Sequence, residues 1–320
     1  MYSLQLEKAG VLKEKDIPIP KPESGEVLLS VTHCAVCRTD AKMWKQGHRD
    51  LILPRVLGHE ICGILPESGK LFVVWPGNSC GLCAFCQKGL ENLCPQMQIL
   101  GFHKDGGFAK YAAVPEKSLI PVPDDLGGEL ACMAEPLACT LNAMEQSGVK
   151  ENQHVLIYGA GPVGLMAGMS ARYLGAVPFV HEIRPERILQ SKAFREQISM
   201  DLCESEMKFD TIINAAPSAD TFTDGLPRLS PGGCFCLFSG LTDEKKISSA
   251  LLNEIHYRQL HVCGAYGCTR KQMKTALNIL TEYSRESAHF TEKQIDLHQV
   301  PEILPRILAG QAMKFIVKIQ

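Results

Sequence analysis

The chain has 320 residues, 45% of them hydrophobic and 21% charged, with a formal net charge of −2. That length exceeds one ordinary domain and points to about two, the near-neutral charge gives no general pull toward nucleic acid or acidic membranes, and no stretch reaches the ~18 consecutive apolar residues of a membrane span. The start, MYSLQLEKAG, has no basic stretch followed by an apolar run. No signal peptide is therefore expected, and a reducing, cytoplasmic setting is the expectation. There the 14 cysteines read as metal ligands and buried thiols rather than a disulfide framework.

To about residue 130 the chain shows short β-like runs, such as Val27–Val31 and Leu71–Val74, broken by Gly and Pro. This predicts a mostly β domain with functional loops. Cys37-Arg38-Thr39-Asp40 stands out early, and Gly58-His59-Glu60 follows the mostly apolar run Leu51–Leu57. A third segment is Ala134-Glu135-Pro136-Leu137. Each is weak alone. Together they offer thiolate, imidazole and carboxylate, the ligand types of a catalytic zinc.

Between them runs C-x2-C-x2-C-x7-C, comprising Cys80, Cys83, Cys86 and Cys94. A tight loop at this spacing points three thiolates inward, and the fourth closes a tetrahedral shell. Four thiolates leave no open position, so this zinc would be structural. The spacing alone also admits an iron–sulfur cluster.

The middle of the chain changes character. His154–Gly159, Pro178–Glu182, Thr211–Ala215, Cys234–Ser239 and Leu260–Gly264 are short apolar runs, most of them a helix length apart. That alternation predicts a parallel sheet with crossover helices. The first run leads into Gly159-Ala160-Gly161-Pro162-Val163-Gly164 and a helix-like stretch, which is the context a dinucleotide-binding G-x-G-x-x-G requires. Its glycines allow the turn, the approach of pyrophosphate and close helix–strand packing. Glu182 stands where a carboxylate accepts from ribose hydroxyls, which favours NAD over NADP. Arg184 nearby tempers that preference. In the tail, Lys271–Tyr283 carries a helical stripe of Met273, Ala276, Leu277 and Leu280, and Met313–Ile319 is strand-like. The remaining cysteines default to buried thiols. Among them Cys234 and Cys236, two apart on one strand, should share a face.

Taken together, Gly58-His59-Glu60, the four-cysteine loop, the Gly106–Tyr111 turn and the Gly159–Gly164 motif resemble the zinc-dependent medium-chain alcohol dehydrogenases over nearly the whole chain. Glu135-Pro136-Leu137 is closest to the sorbitol/polyol and threonine dehydrogenase branch. The resemblance implies an α/β protein with two domains. One is a GroES-like, β-rich catalytic domain over 1–141 and 266–320, and the other a doubly wound Rossmann domain over 142–265. It implies a catalytic zinc on Cys37 and His59, with Glu60 and Glu135 as ligands or in exchange with water, and a structural zinc on the four cysteines. It also implies Thr39 as the hydroxyl that passes the alcohol proton outward, Arg38 as a pyrophosphate partner, and a homodimer or homotetramer. The expected reaction moves a hydride between a secondary alcohol or polyol and NAD. A zinc-independent quinone or enone reductase of the same fold, and a non-catalytic zinc- and NAD-binding protein, are the alternatives. Two departures stand out: Lys42 replaces the relay histidine of many relatives, and the stretch between Glu182 and Asp210 is short.

Overall fold

The structure, a computed structural model, describes residues 1–319 and divides into two compact units. The first unit comprises Met1–Glu135 and the segment from Cys268 onward; the second is Pro136–Gly267. The boundaries expected from sequence, 141/142 and 265/266, differ by a few residues because helix Ala134–Ser147 runs through the first junction. Its apolar positions continue unbroken, so periodicity cannot mark a junction inside it. Among the described residues no helix is long and apolar enough to cross a membrane.

The first unit is built on the long strand Glu26–Ala35, whose alternate residues Leu29 and Val31 are buried. Strand Glu60–Leu65 pairs antiparallel with its second half, and Tyr111–Pro115 with its first. The last strand, Lys314–Lys318, returns to the same sheet and pairs antiparallel on the other side of the long strand, with Ile316 opposite Ala35. Ala35 is thus flanked by Glu60 on one side and Ile316 on the other. That register brings the two ends of the chain together at one point. A core of Leu4, Leu6, Leu29, Leu57, Phe108, Phe315 and Val317 fills the unit.

The second unit holds a six-stranded, all-parallel sheet. Its order is Asp201–Leu202, Val177–His181, His154–Tyr158, Phe209–Asn214, Leu229–Leu237, His261–Gly264. Every apolar run singled out above becomes a strand. The order reverses direction at His154–Tyr158, the switch point where doubly wound folds bind nucleotides. The short stretch after Glu182 forms two six-residue helices, Pro185–Gln190 and Lys192–Gln197, and a strand of two residues.

At the switch point the chain turns at Gly159, whose φ of +104° lies in the region that favours glycine, and enters helix Pro162–Tyr173. A Cβ on Gly164 would lie 1.9 Å from the Gly159 carbonyl oxygen, so only glycine lets this helix close on its strand. Gly164→Ala is expected to destabilise the second unit by about 1–3 kcal/mol, as overpacking does, and to weaken dinucleotide binding. Unfolding curves with and without NADH would check this. Unchanged stability together with unchanged NADH affinity would count against the close packing.

Candidate functional site

The first cluster forms where helix Arg38–Gln46 begins. Cys37 is its N-cap, and the Thr39 N–H donates to Cys37 Sγ at 3.4 Å. Asp40, fully buried, accepts from the Cys37 N–H at 2.9 Å and from the Gly58 N–H at 3.3 Å. Its Oδ1 also lies 3.4 Å from His59 Nδ1, an electrostatic contact without hydrogen-bond geometry. One carboxylate therefore steadies both segments. Gly58 turns the chain at φ +90°, and a Cβ there would lie 2.7 Å from the Phe108 ring and 2.9 Å from Cys34 Sγ. The Gly106–Phe108 turn braces this bend through N–H bonds to Val56, Leu57 and Gly58 carbonyls.

These constraints bring ligand atoms of Cys37, His59 and Glu60 within 4.8 Å of one another. Glu60 is fully buried and ion-paired with Lys314, itself 4% exposed. Lys314 also donates to the Val36 carbonyl at 3.3 Å. Burial opposes its charge, but Glu60, Cys37 and Glu135 outweigh burial and hold the ammonium well above its ordinary range. Burial likewise opposes a charged His59, and Asp40 and Cys37 overcome it, raising the imidazole well above its usual value. The group sets three acidic side chains, Cys37, Asp40 and Glu60, against the one ammonium of Lys314, a donor set that suits a divalent cation. Asp40 on Nδ1 leaves Nε2 of His59 for that cation, the arrangement by which carboxylates orient metal-binding histidines.

Other predicted residues take distinct places. The Glu135 carboxylate, 9% exposed, is not part of the Cys37–His59–Glu60 group and lies within 4.8 Å of the Cys268 thiol. Thr39 sits in the first turn after Cys37. Arg38 donates to the Leu308 carbonyl at 3.2 Å. Lys42 is half-buried, and burial, then Arg38, lowers its pKa. The sequence reading gave no role to Asp40, Lys314 or Phe102, whose ring packs edge-on against His59 at 5.2 Å. Asp40 was legible as the third residue after an N-cap, a capping-box position. Lys314 carried no local signal.

The four-cysteine loop is a separate cluster. Its sulfurs all lie within 4.8 Å of one another, with Cys80–Cys86 at 3.9 Å and Cys83–Cys86 at 3.5 Å. Tetrahedral Zn–S bonds of about 2.3 Å place sulfurs about 3.8 Å apart, so the donor set fits zinc. Cys80 Sγ accepts from the Leu82 and Cys83 N–H groups, and these bonds lower its pKa to about 6. Burial and the Cys83 thiol raise Cys86 to about 11. Leu82, Phe85 and Leu93 of this loop are exposed.

In the second unit, Glu182 Oε2 accepts from the Ala160 N–H at 2.9 Å, and Oε1 from the Ile183 and Arg184 N–H groups at 2.8 and 3.0 Å. The carboxylate is thereby fixed against the glycine turn. Gly161 is the N-cap of helix Pro162–Tyr173, with Pro162 at its first position and Val163 and Gly164 in its first turn. Arg187 adds what sequence reading missed: its Nη1 lies 2.4 Å from where a Gly161 Cβ would stand. A guanidinium over a helix N-terminus makes a strong seat for anions. Its only sequence signal was a basic residue five positions beyond the Glu182 carboxylate.

A β unit with two sulfur-containing clusters and a doubly wound unit with a glycine turn define the medium-chain dehydrogenase architecture. Residues 23–124 match the family model described as the alcohol dehydrogenase GroES-like domain. The chain is 27% identical over 320 residues to a Haemophilus influenzae uncharacterized zinc-type alcohol dehydrogenase-like protein, covering 93% of this chain and 92% of the relative. It is 27% identical over 318 residues to the D-altritol 5-dehydrogenase of Agrobacterium fabrum, covering 94% of each. The crystal structure of a putative zinc-binding dehydrogenase from Sinorhizobium meliloti, bound to NADP, superposes with a TM-score of 0.87 at 26% identity, covering 99% and 98% of the two chains. Over nearly its whole length the chain is thus similar to zinc-type medium-chain alcohol dehydrogenases, polyol and threonine dehydrogenases among them.

Proposed function

We propose that this protein is a zinc- and NAD-dependent dehydrogenase of secondary alcohols or polyols. The observation that carries the reading is the group of half-buried Cys37 with buried His59 and Glu60, with Asp40 behind the imidazole and Lys314 on the glutamate. Cys37 and His59 are the proposed fixed ligands, and Glu60 and Glu135 the carboxylates that complete the shell or exchange with water. A zinc ion bound there supplies the Lewis acidity that eases loss of the alcohol proton, and the nicotinamide ring accepts the hydride. Thr39, beside the ligand cysteine, is the proposed first acceptor of that proton. Asp40 fixes the imidazole ring. Lys314 offsets part of the Glu60 carboxylate charge, so that a cation held there would keep more of its Lewis acidity.

The second zinc is assigned to Cys80, Cys83, Cys86 and Cys94, with no open position and hence a structural role. Cys83→Ser is expected to remove one zinc per chain and to loosen the loop, seen as faster proteolytic cutting within residues 79–97. Wild-type resistance after zinc loss would contradict that role. The exposed Leu82, Phe85 and Leu93 suit a contact between copies, in keeping with a proposed homodimer or homotetramer in the cytoplasm.

For the dinucleotide, Glu182 is the proposed acceptor of ribose hydroxyls, and its charge disfavours a 2′-phosphate. Arg184 and Arg187 act in the opposite sense, so NAD preference is a matter of degree. Arg38 is assigned to the cofactor pyrophosphate. Polyols, amino alcohols, hydroxy acids and simple secondary alcohols, scored for NADH and NADPH formation, test the whole reading. Turnover of a polyol or related secondary alcohol with NAD, abolished by zinc removal, is expected. Reduction of quinones or enones that survives zinc removal would replace this reading with the zinc-independent one.

A further inference from the structure

The second unit holds a thiol cluster that plays no part in zinc or dinucleotide binding as assigned above. Cys234 and Cys236 lie on strand Leu229–Leu237, and Cys263 on His261–Gly264, the edge strand of the parallel sheet. Cys236 is the direct register partner of Cys263. Cys234 and Cys236 are two residues apart and so project to one face. Cys234 Sγ lies 3.6 Å from Cys263 Sγ. Cys234 and Cys236 are buried, whereas Cys263 is half-buried between the exposed residues Val262 and Gly264. One accessible thiol thus faces two sheltered ones. Cys263 is therefore the thiol of the three that an oxidant from solution reaches first, and its contacts with the inner pair pull it below its ordinary range.

We propose that Cys263 is a redox modification site that closes a cross-strand disulfide with Cys234 or Cys236, using a low-molecular-weight disulfide as oxidant. The Cys263 thiolate attacks one sulfur of the oxidant, forming a mixed disulfide and expelling one thiolate, which takes up a proton. The neighbouring thiol on the inner strand then loses its proton and displaces the second thiolate from the Cys263 sulfur. The chain loses two hydrogens and the oxidant gains them. Geometry permits both pairings in different ways. Adjacent strands stand about 4.8 Å apart, inside the roughly 4.4–6.8 Å Cα window of disulfides, which suits the register pair Cys236–Cys263. Cys234 has the close approach of sulfurs, 3.6 Å. Either bond ties the edge strand covalently to the sheet.

The test uses the zinc-loaded full chain, so that the assigned zinc ligands are shielded. The protein is incubated with oxidised glutathione, its free thiols are alkylated, and it is digested with trypsin. Lys245, Lys246 and Arg258 separate the Cys234/Cys236 peptide from the one carrying Cys263. The expected product is a pair of linked peptides lacking two hydrogens and released by dithiothreitol. Fragmentation assigns the link to Cys263 rather than Cys268 and chooses between Cys234 and Cys236. Cys263→Ser should abolish the link, whereas Cys203→Ser should leave it intact. Should Cys263→Ser fold poorly, the Cys234→Ser, Cys236→Ser double variant provides the same information, since it leaves Cys263 no partner and must lose the link. Glutathione adducts without any link, or a link that persists in Cys263→Ser, would overturn the proposal.

Discussion

Cys37→Ser is expected to lower kcat/KM by about three orders of magnitude or more while leaving the protein folded. Each tenfold loss corresponds to about 1.36 kcal/mol of transition-state stabilisation, so the predicted loss is about 4 kcal/mol. That is the scale of stabilisation a metal supplies to developing charge on oxygen. Serine fails as a ligand because zinc binds the thiolate, and a hydroxyl does not ionise near neutral pH. The fold should survive because position 37 is also the N-cap of helix Arg38–Gln46, and serine is among the best residues there. One substitution therefore separates the residue's metal role from its capping role. Steady-state kinetics, zinc content per chain and thermal unfolding on the same preparation make the comparison. Undiminished turnover in folded protein that has lost the zinc assigned to Cys37 and His59 would remove the metal from the reaction.

Lys314→Met should cost about 3–5 kcal/mol of stability in zinc-stripped protein, the usual result of removing one partner from a buried ion pair. The ammonium is 4% exposed and Glu60 not at all, so the abandoned carboxylate would have no water to replace its partner. A divalent cation beside Glu60 would supply part of the missing positive charge. The loss is therefore expected to be smaller in zinc-loaded protein. The Glu60→Gln, Lys314→Met double variant should regain most of the stability, since neither charge is then left buried alone. Denaturant unfolding of the wild type and both variants, with and without zinc, reads out these differences. An equal loss in both metal states would mean that Glu60 does not share the cation.

Much of the site was legible because its signals are local. The four cysteines lie within fifteen consecutive residues, and a loop that short can bring four sulfurs together with little help from the fold. The glycine turn was equally clear: an apolar strand, three spaced glycines and an apolar helix are one continuous segment, and the structure puts Gly159 and Gly164 in contact. The five apolar runs of the middle region became the main strands of the parallel sheet. Strands buried on both faces carry their signal in composition alone.

The rest depends on contacts between distant segments. Sequence alone identified the family, the zinc-type cysteine loop, the Cys37, His59 and Glu60 candidates, and the dinucleotide turn, because each depends on residues close together in the chain. Only the tertiary structure showed that Lys314, 254 positions beyond Glu60, is its buried counter-charge, since that pairing depends on the last strand entering the sheet beside Ala35. It likewise placed Asp40 between Cys37 and His59, set Arg187 over Gly161, and gathered Cys263 with Cys234 and Cys236. Sheet register and the folding-back of helices set these meetings, and neither leaves a mark in the spacing of residues along the chain.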